Sequence, residues 1–358
     1  MRLFIAAGGT GGHVFPSLSI AMEFKKVGNH EIFFLGTKRG LEVQTVALRF
    51  PVLYVSARGW DRHFRLYTFR VIGENLVGFF TLGWYFFRYR PQAFLAMGSY
   101  LSLLGALWAK IFRIPVYLHE QNVYPGLANR IVARWAKKVF LAFEETKKYL
   151  RTPGKIEVTG NPLREEVVAW KGEKEKARLS LGLEVHRKTI LVVGGSRGSR
   201  VLNRVFLEAL AFLPQEHLQV IHITGKEDYS EIAREAKVKP LPYLVFSFLE
   251  SIGVAYAAAD VVLCRAGAST VTELFFFGLP SILVPYGGAT DNHQWYNAQW
   301  LAKHGRAVVL REEELQAPLL AQKILELLNG PPSSQDNFEL QAWLEKASTR
   351  IVQEILCS

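Results

Sequence analysis

Short apolar runs alternate along the chain with longer segments in which apolar residues recur at helical spacing. In the first half the runs lie at residues 3–6, 31–35, 52–55, 93–96, 116–118, 139–141 and 156–158. Strands that alternate with helices form parallel sheets with helices on both faces. The first half therefore predicts a doubly wound, Rossmann-like α/β domain.

The second half repeats this alternation, with apolar runs at residues 189–193, 220–223, 243–246, 261–263, 281–284 and 307–309. A chain of 358 residues is long for a single hydrophobic core. We therefore predict two similar domains, residues 1–160 and 161–335, which divide at the Gly160-Asn161-Pro162 turn. Residues 336–358 read as a terminal helix that we expect to pack back on the first domain.

A glycine-rich turn follows a predicted strand in each half, at residues 8–13 (GGTGGH) and 194–198 (GGSRG). Each turn opens a helical pattern, so that backbone N–H groups and a helix N-terminus converge on one place, which favours an anion. Val14 stands where the dinucleotide-binding fingerprint has its third glycine, and the chain has no G-x-x-x-x-G-K-[ST] run. One such turn is often only a tight turn, but two at strand-to-helix junctions predict a phosphorylated ligand.

Small residues also fill the turn that follows the apolar run 261–263. Ala268 lets a diphosphate approach the backbone, and Ser269 or Thr270 can cap the next helix. Glu273 lies about one turn further on, where its carboxylate could accept hydrogen bonds from both hydroxyls of a ribose. The alternative for Glu273 is a structural role as the glutamate of a capping box.

The formal net charge of +11 is concentrated in the first half of the chain. Residues 1–165 contain 23 Lys and Arg against 10 Asp and Glu, whereas residues 166–358 contain 20 against 22. Basic charge confined to one half predicts an anionic surface or polymer as partner. The two cysteines are too few for a disulfide framework, and glycines interrupt the first apolar run too early for a signal peptide, so we expect a reducing, cytoplasmic setting.

Residues 58–90 combine arginines with many aromatic side chains, among them Phe80, Trp84 and Phe87. Such a mixture suits the interface of an anionic bilayer and also occurs where single-stranded nucleic acid binds, although no recognisable nucleic-acid module accompanies it here. We expect a peripheral protein on the cytoplasmic leaflet, with no nucleic acid as partner; the alternative is that these rings fill the first core. The uncharged stretch 91–109 is broken by glycine and serine, which predicts strand, turn and helix rather than a membrane span.

Six motifs occur together in one order along the chain. They are residues 8–16 (GGTGGHVFP), 119–122 (HEQN), 160–164 (GNPLR), 194–198 (GGSRG), 264–267 (CRAG) and 291–298 (DNHQWYNA). In these motifs the chain resembles, over nearly its whole length, the MurG family of bacterial transferases. The resemblance implies a GT-B fold, two Rossmann-like domains facing a cleft. It also implies inverting transfer of N-acetylglucosamine from UDP-N-acetylglucosamine to the 4-hydroxyl of the N-acetylmuramyl unit of lipid I (undecaprenyl-pyrophosphoryl-N-acetylmuramyl-pentapeptide), giving lipid II in peptidoglycan synthesis.

The resemblance also implies roles for single residues. In the donor site, Ser196 would hold the diphosphate, Glu273 the ribose, and Phe248 and Leu249 the uracil. The other implied contacts are Thr10, Gly11, Gly12, Asn122, Arg164, Ala268, Ser269, Thr270, His293 and Gln294 for the donor, with Thr10 also on the acceptor side, and Tyr100 and Asn129 for the acceptor.

Sugar transfer to a hydroxyl needs a base for the acceptor proton and a positive environment for the departing UDP. His13 is our first candidate for the base, because the dipole of the helix that it opens disfavours its imidazolium; it could instead only orient the acceptor or bond its own loop. Glu120 is the second candidate, and its alternative role is that of a buried partner for arginine or backbone N–H groups. No Asp-x-Asp occurs in the chain, so we expect helix N-termini to stabilise the diphosphate without a metal or other cofactor.

Other functions stay open at this point. A related GT-B enzyme, such as a diacylglycerol glycosyltransferase or a UDP-N-acetylglucosamine epimerase, would share the second-domain turns. A non-catalytic nucleotide-sugar-binding protein would keep those turns and need no base in the first domain. The pairing of GGTGGH with HEQN favours the N-acetylglucosaminyltransferase.

Overall fold

The computed structural model describes residues 1–8, 11–38, 45–56, 67–195, 198–330 and 338–358, with the backbone alone for residues 67–72 and 338. The chain divides into two compact units. Unit 1 comprises residues 1–162 and 343–358, and unit 2 comprises residues 163–342.

The strands of unit 1 are β1 (Arg2–Ala6), β2 (Glu31–Gly36), β3 (Val52–Tyr54), β4 (Ala93–Ala96), β5 (Val116–Glu120), β6 (Lys138–Leu141) and β7 (Lys155–Val158). Across the described residues they form one parallel sheet in the order β3-β2-β1-β4-β5-β6-β7. The connecting helices are α1 (Gly11–Val27), α2 (Tyr67–Tyr89), α3 (Tyr100–Ile111) and α4 (Leu127–Val132).

The sheet of unit 1 is buried on both faces. Successive residues of β1 point to opposite sides, so Phe4 joins the core under α2 and α3, whereas Leu3 and Ile5 join the core under α1. A strand buried on both faces reads as a continuous apolar run, which is the signal that the sequence carried at residues 3–6.

Unit 2 contains β8 (Lys188–Val193), β9 (Leu218–Ile223), β10 (Tyr243–Phe246), β11 (Val261–Cys264), β12 (Ser281–Leu283) and β13 (Ala307–Val309). In the described part of this unit they form a parallel sheet in the order β10-β9-β8-β11-β12-β13. Its helices are α5 (Glu165–Ala169), α6 (Lys174–Ser180), α7 (Arg200–Ala209), α8 (Tyr229–Ala236), α9 (Ile252–Ala258), α10 (Ala268–Phe277), α11 (His293–His304) and α12 (Ala317–Asn329). All the apolar runs predicted as strands, in both halves, are confirmed.

The end of the chain forms two helices, α13 (Phe338–Glu345) and α14 (Ala347–Leu356), so the prediction of one continuous helix is wrong. The break falls at Lys346, whose dihedral angles (φ −91°, ψ 11°) leave the helical range. It allows α14 to lay its own apolar face, Ile351, Val352 and Ile355, into the core beneath α1.

The uncharged stretch 91–109 forms β4, a turn and most of α3, as predicted. Among the helices of the described ranges, none combines the length and the apolar character needed to cross a membrane.

Candidate active site

The predicted site residues of unit 1 follow the carboxyl ends of neighbouring parallel strands. The strand order reverses between β1 and β4, the kind of switch point at which open α/β sheets bind ligands. Gly11, Gly12 and His13 form the first turn of α1 after β1. Tyr100 begins α3 after β4, and Glu120 is the last residue of β5. The topology therefore places these residues along one edge of the sheet.

In unit 2 the corresponding switch point lies between β8 and β11. The glycine-rich turn after β8 is tightly packed: a Cβ at Gly198 (φ +79°) would lie 2.3 Å from the carbonyl oxygen of Thr224. Arg265, in the turn after β11, donates through Nη2 to Ser199 Oγ at 2.9 Å. This bond ties the two turns that flank the switch point.

Glu120 is buried, with 1% of its surface exposed, and both of its carboxylate oxygens are engaged. Oε1 accepts from the backbone N and from Nδ2 of Asn122, at 2.8 and 3.2 Å. Oε2 accepts from the backbone N of Gly126 at 3.1 Å and from Asn129 Nδ2 at 2.8 Å. Burial raises the pKa of Glu120, although these bonds act in the opposite direction. In this geometry Glu120 organises its own loop, and Asn122 and Asn129 are its partners.

His13 belongs to a separate line of hydrogen bonds. Its Nδ1 lies 3.0 Å from Gln121 Oε1, and Gln121 Nε2 lies 3.0 Å from His119 Nδ1. His119 Nε2 in turn lies 3.2 Å from the carbonyl oxygen of Gly160. His119 is fully buried, and this burial lowers its pKa to about 4, which keeps the ring neutral at pH 7.

The turn before α3 packs directly on the ring of His13. A Cβ at Gly98 (φ +98°) would lie 2.6 Å from His13 Cε1, so a side chain there would collide with the imidazole. Ser99 also has a positive φ, +81°, an unusual conformation for a residue with a side chain and one that clusters at functional sites. Burial raises the pKa of Tyr100, which follows it.

Arg164 and Glu273 form a buried ion pair within unit 2. Arg164 approaches Glu273 Oε1 with Nη2 at 2.8 Å and Nε at 3.3 Å, while its Nη1 lies 3.2 Å from Glu166 Oε1. The Tyr256 hydroxyl also bonds the carboxylate of Glu273, and burial holds the pKa of that tyrosine far above its usual value. Glu273 is therefore fixed by one guanidinium and one phenol.

The residue that caps α10 is Gly267, so the prediction that Ser269 or Thr270 caps this helix is wrong. The helix begins at Ala268, and a cap must be the non-helical residue just before it. Thr270 is thus the third residue of the helix, and Glu273 lies beyond the capping-box position. Ser269 Oγ is buried and finds no hydrogen-bond partner among the described residues, a situation that polar ligands commonly relieve.

The remaining donor-side residues lie on the loop after β10 and in the first turn of α11, which follows β12. Phe248 is exposed and Leu249 half-buried after β10. Gln294 is the second residue of α11, and its Oε1 accepts from the backbone N of Tyr286 at 2.9 Å. His293 Nδ1 lies 2.8 Å from the carbonyl oxygen of Thr290 and so carries the proton of that bond.

Thr10 and Ser196 lie outside the described residues, and their predicted contacts stay predictions. Within the described ranges, no group of three or more His, Cys, Asp or Glu side chains is placed to hold a metal ion.

Sequence reasoning gave no role to Gln121 and Tyr256, which bond the predicted site residues His13 and Glu273, or to Arg265, which bonds Ser199 of the glycine-rich turn. Gln121 lies inside the HEQN motif, so the sequence indicated that this residue belongs to a motif but not what it does. The sequence around Tyr256 gives no indication of its contact with Glu273, because only the packing of α9 near α10 brings the two residues together.

Both units match known domains. Residues 3–141 match the glycosyltransferase family 28 N-terminal domain, and residues 189–354 match the C-terminal domain of that family. The chain is 35% identical over 339 residues to the UDP-N-acetylglucosamine–N-acetylmuramyl-(pentapeptide) pyrophosphoryl-undecaprenol N-acetylglucosamine transferase of Halothermothrix orenii, across 92% of this chain and 91% of that protein. It is 36% identical to the transferase of the same name from a Thermoanaerobacter species, across 92% of each chain. The crystal structure of Acinetobacter baumannii MurG is similar with a TM-score of 0.76 and 28% identity, over 100% of this chain and 99% of that one.

Proposed function

The chain belongs to the MurG family of glycosyltransferase family 28, with a GT-B fold, and we propose that it makes lipid II by inverting transfer of N-acetylglucosamine. The donor is UDP-N-acetylglucosamine, and the acceptor is the 4-hydroxyl of the N-acetylmuramyl unit of lipid I.

The observation that carries this proposal is that transferases of one name match both units, across 92% of the chain. An epimerase, a diacylglycerol glycosyltransferase or a non-catalytic nucleotide-sugar-binding protein needs the donor turns of unit 2 but not the first-unit motifs GGTGGH and HEQN. The match over unit 1 therefore favours the lipid I acceptor.

On the donor side, we assign the ribose to Glu273. Both contacts from Arg164 fall on Oε1, and Tyr256 adds one further donor. Together they fix the carboxylate and leave acceptor capacity for ribose hydroxyls. The N-terminus of α10, with Ser269 Oγ beside it, supplies donors and a positive dipole end for the diphosphate, together with the turn that contains Ser196. Phe248 and Leu249 would contact uracil, and Gln294 the sugar hydroxyls.

On the acceptor side, we assign the base to His13. Glu120 is the weaker candidate, because both of its oxygens already accept hydrogen bonds from its own loop. His13 stands in the first turn of α1, where the helix dipole favours a neutral imidazole. Gly11, Gly12 and Tyr100 lie on the same edge of the sheet and would face the acceptor and the leaving group.

Turnover with two substrates tests the function. We expect purified protein, incubated with UDP-N-acetylglucosamine and a short-chain lipid I analogue, to release UDP and to yield the disaccharide-linked product by mass spectrometry. Without acceptor, neither UDP release nor epimerised sugar should appear. Product with diacylglycerol but not with the lipid I analogue, epimerisation of the donor alone, or donor binding without turnover would each contradict the proposal.

We also propose that unit 1 docks on an anionic membrane leaflet through α2. Phe80, Trp84 and Phe87 are 66%, 56% and 63% exposed on one face of this helix, while Leu82 and Phe86 on the other face are buried in the core. Phe86 stacks on Phe112 with ring centroids 6.3 Å apart, which places the exposed ends of α2 and α3 side by side. The exposed rings of α2 are therefore not part of the core of unit 1, which contains Leu82 and Phe86 instead.

Basic residues border this face, with Arg88 and Arg90 at the end of α2 and Lys110 and Arg113 at the end of α3. Apolar insertion flanked by basic charge is the combination that holds peripheral proteins on anionic lipid. The cytoplasmic leaflet is the surface that this charge fits.

Vesicle sedimentation tests the docking face. Replacement of Phe80, Trp84 and Phe87 by serine should lower binding to phosphatidylglycerol vesicles by tenfold or more, because each ring loses its apolar burial. A matched control replaces Leu179, Phe212 and Val238, exposed apolar residues of unit 2, by serine and should bind as wild type. Equal loss in both triple variants, or none in either, would overturn the docking face.

A further inference from the structure

The line of hydrogen bonds that reaches His13 contains only groups of unit 1. It meets the contacts of Glu120 at the carbonyl oxygen of His119, which lies 3.4 Å from Asn129 Nδ2. It runs from the Gly160 carbonyl oxygen through His119 and Gln121 to His13 Nδ1, with separations of 3.2, 3.0 and 3.0 Å. His119 and Gln121 are both buried, with 0% and 1% of their surfaces exposed. Water therefore has little access to His119 and Gln121, so their polar atoms must hydrogen-bond each other.

Each member of the line fixes the proton position of the next. A carbonyl oxygen only accepts, so His119 Nε2 carries the hydrogen of its bond to Gly160. Because the buried His119 ring is neutral, its Nδ1 holds a lone pair and must accept. The amide nitrogen of Gln121 donates to that lone pair and also approaches the His119 carbonyl oxygen at 3.2 Å. Gln121 Oε1 is thereby turned to His13, and it can only accept.

We propose that His119 and Gln121 are positioning residues that hold neutral His13 as the Nδ1–H tautomer, with the lone pair on Nε2 where the acceptor hydroxyl can deliver its proton. This inference rests on the assignment of His13 as base in the proposed function. In the transfer, the hydroxyl oxygen forms a bond to the anomeric carbon, and its proton moves to Nε2. The bond from that carbon to the diphosphate oxygen breaks, and UDP leaves with the electron pair. The Nδ1–H group remains bonded to Gln121 before and after the transfer.

Contacts on another side of the ring agree with a fixed orientation. The backbone at Gly98 packs on His13 so closely that a Cβ would lie 2.9 Å from Nδ1 and 2.6 Å from Cε1. The ring is thus held by packing as well as by its bond to Gln121. In catalytic triads, the group that hydrogen-bonds the histidine fixes both its orientation and its tautomer. A wrong tautomer there can lower kcat by a large factor.

Nitrogen-15 NMR of histidine-labelled protein reads the tautomers directly, with Gln121→Met as the main variant. In wild type above neutral pH we expect His13 to be protonated on Nδ1 and His119 on Nε2. In Gln121→Met, His13 should shift mainly to the Nε2–H form that imidazole favours in water, while His119 keeps its bond to Gly160. His222, a buried histidine of unit 2 bonded to Asn203 and Tyr243, should not change and so reports intact folding.

Kinetics supply the second readout. Gln121→Met should lower kcat about tenfold or more while KM for UDP-N-acetylglucosamine stays within about twofold, because only the base is misprotonated. Gln121→Glu retains an acceptor for His13 Nδ1–H and should recover that tautomer and part of kcat. An unchanged His13 tautomer in Gln121→Met, or a switched tautomer with wild-type kcat, would overturn the inference.

A further control separates this inference from the proposed function. If wild type transfers N-acetylglucosamine but His13→Ala does so at the same rate, His13 is not the base and the inference falls. If wild type transfers no sugar at all, the proposed function itself has failed.

Discussion

Two buried glutamates, one in each unit, have their charge compensated in opposite ways. Glu120 accepts four hydrogen bonds from uncharged N–H groups, all supplied by residues within nine positions along the chain. Glu273 is held by the guanidinium of Arg164, which lies 109 positions away in sequence, together with the hydroxyl of Tyr256. Neutral donors shape a loop around the first carboxylate, whereas a cation fixes the second and leaves it able to accept more hydrogen bonds.

This difference separates a structural carboxylate from a binding one. A carboxylate whose lone pairs are all taken by its own loop has little left for a ligand, so its loss harms folding first. A carboxylate held at one oxygen by a cation can still meet hydroxyls, so its loss harms binding first. Substitutions at the partners of each glutamate test this distinction, and the pH dependence of stability tests a buried histidine in each unit.

The pH dependence of stability should show the largest effect, through one buried histidine in each unit. Burial lowers the pKa of His119 to about 4 and that of His222 to about 3, below the ordinary value of about 6.5. The unfolded chain therefore binds more protons, and stability that is complete above pH 6.5 is lost as the pH falls toward those values. At 1.36 kcal/mol per pKa unit, the loss approaches about 5 kcal/mol for His222 and about 3 kcal/mol for His119.

Urea unfolding between pH 7 and pH 3 measures this dependence, because the two rings differ mainly below pH 4. Asparagine at either histidine should flatten the curve, more for His222→Asn than for His119→Asn. The raised pKa of Glu120 acts in the opposite direction, since a carboxyl group that protonates more easily when folded gains stability on acidification. Curves of equal slope in wild type and both variants would show that neither ring is held neutral.

Removal of the cation in unit 2 should be nearly as costly. Arg164→Met leaves the carboxylates of Glu273 and Glu166 without their shared guanidinium, and breaking a buried ion pair from one side typically costs about 3–5 kcal/mol. Denaturant unfolding at pH 7 gives the value. The double variant in which Glu273 also becomes glutamine should recover part of the loss, and equal stability of single and double variants would contradict this coupling.

Removal of one neutral donor in unit 1 should cost less. Asn129→Leu deletes one hydrogen bond to Glu120 Oε2, which still accepts from the backbone N of Gly126, and a long one of 3.4 Å to the His119 carbonyl oxygen. We therefore expect a loss of about 1–2 kcal/mol. A loss as large as that of Arg164→Met, measured in the same unfolding series, would mean that Glu120 depends on one partner as strongly as Glu273 does.

The sequence predicted the sheet far better than the site contacts. Strands such as residues 3–6 and 261–263 are recognisable in the sequence, because burial on both faces requires an unbroken apolar run. The predicted cap of α10 is wrong, because Gly267 offers no side chain and Ser269, two residues later, has the preferred residue type. His13 hydrogen-bonds Gln121, 108 positions away along the chain, and only the fold brings that pair together.

Calorimetric titration of UDP-N-acetylglucosamine into two conservative variants tests the contrast between the glutamates most directly. Glu273→Gln should weaken donor binding about tenfold or more, since charge-assisted hydrogen bonds to the ribose are lost, while Glu166 still pairs with Arg164. Glu120→Gln keeps an amide oxygen for Asn122 and should bind the donor within about twofold of wild type. Unchanged affinity in folded Glu273→Gln, or an equal loss in Glu120→Gln, would contradict the assignment of donor binding to Glu273 and of loop structure to Glu120.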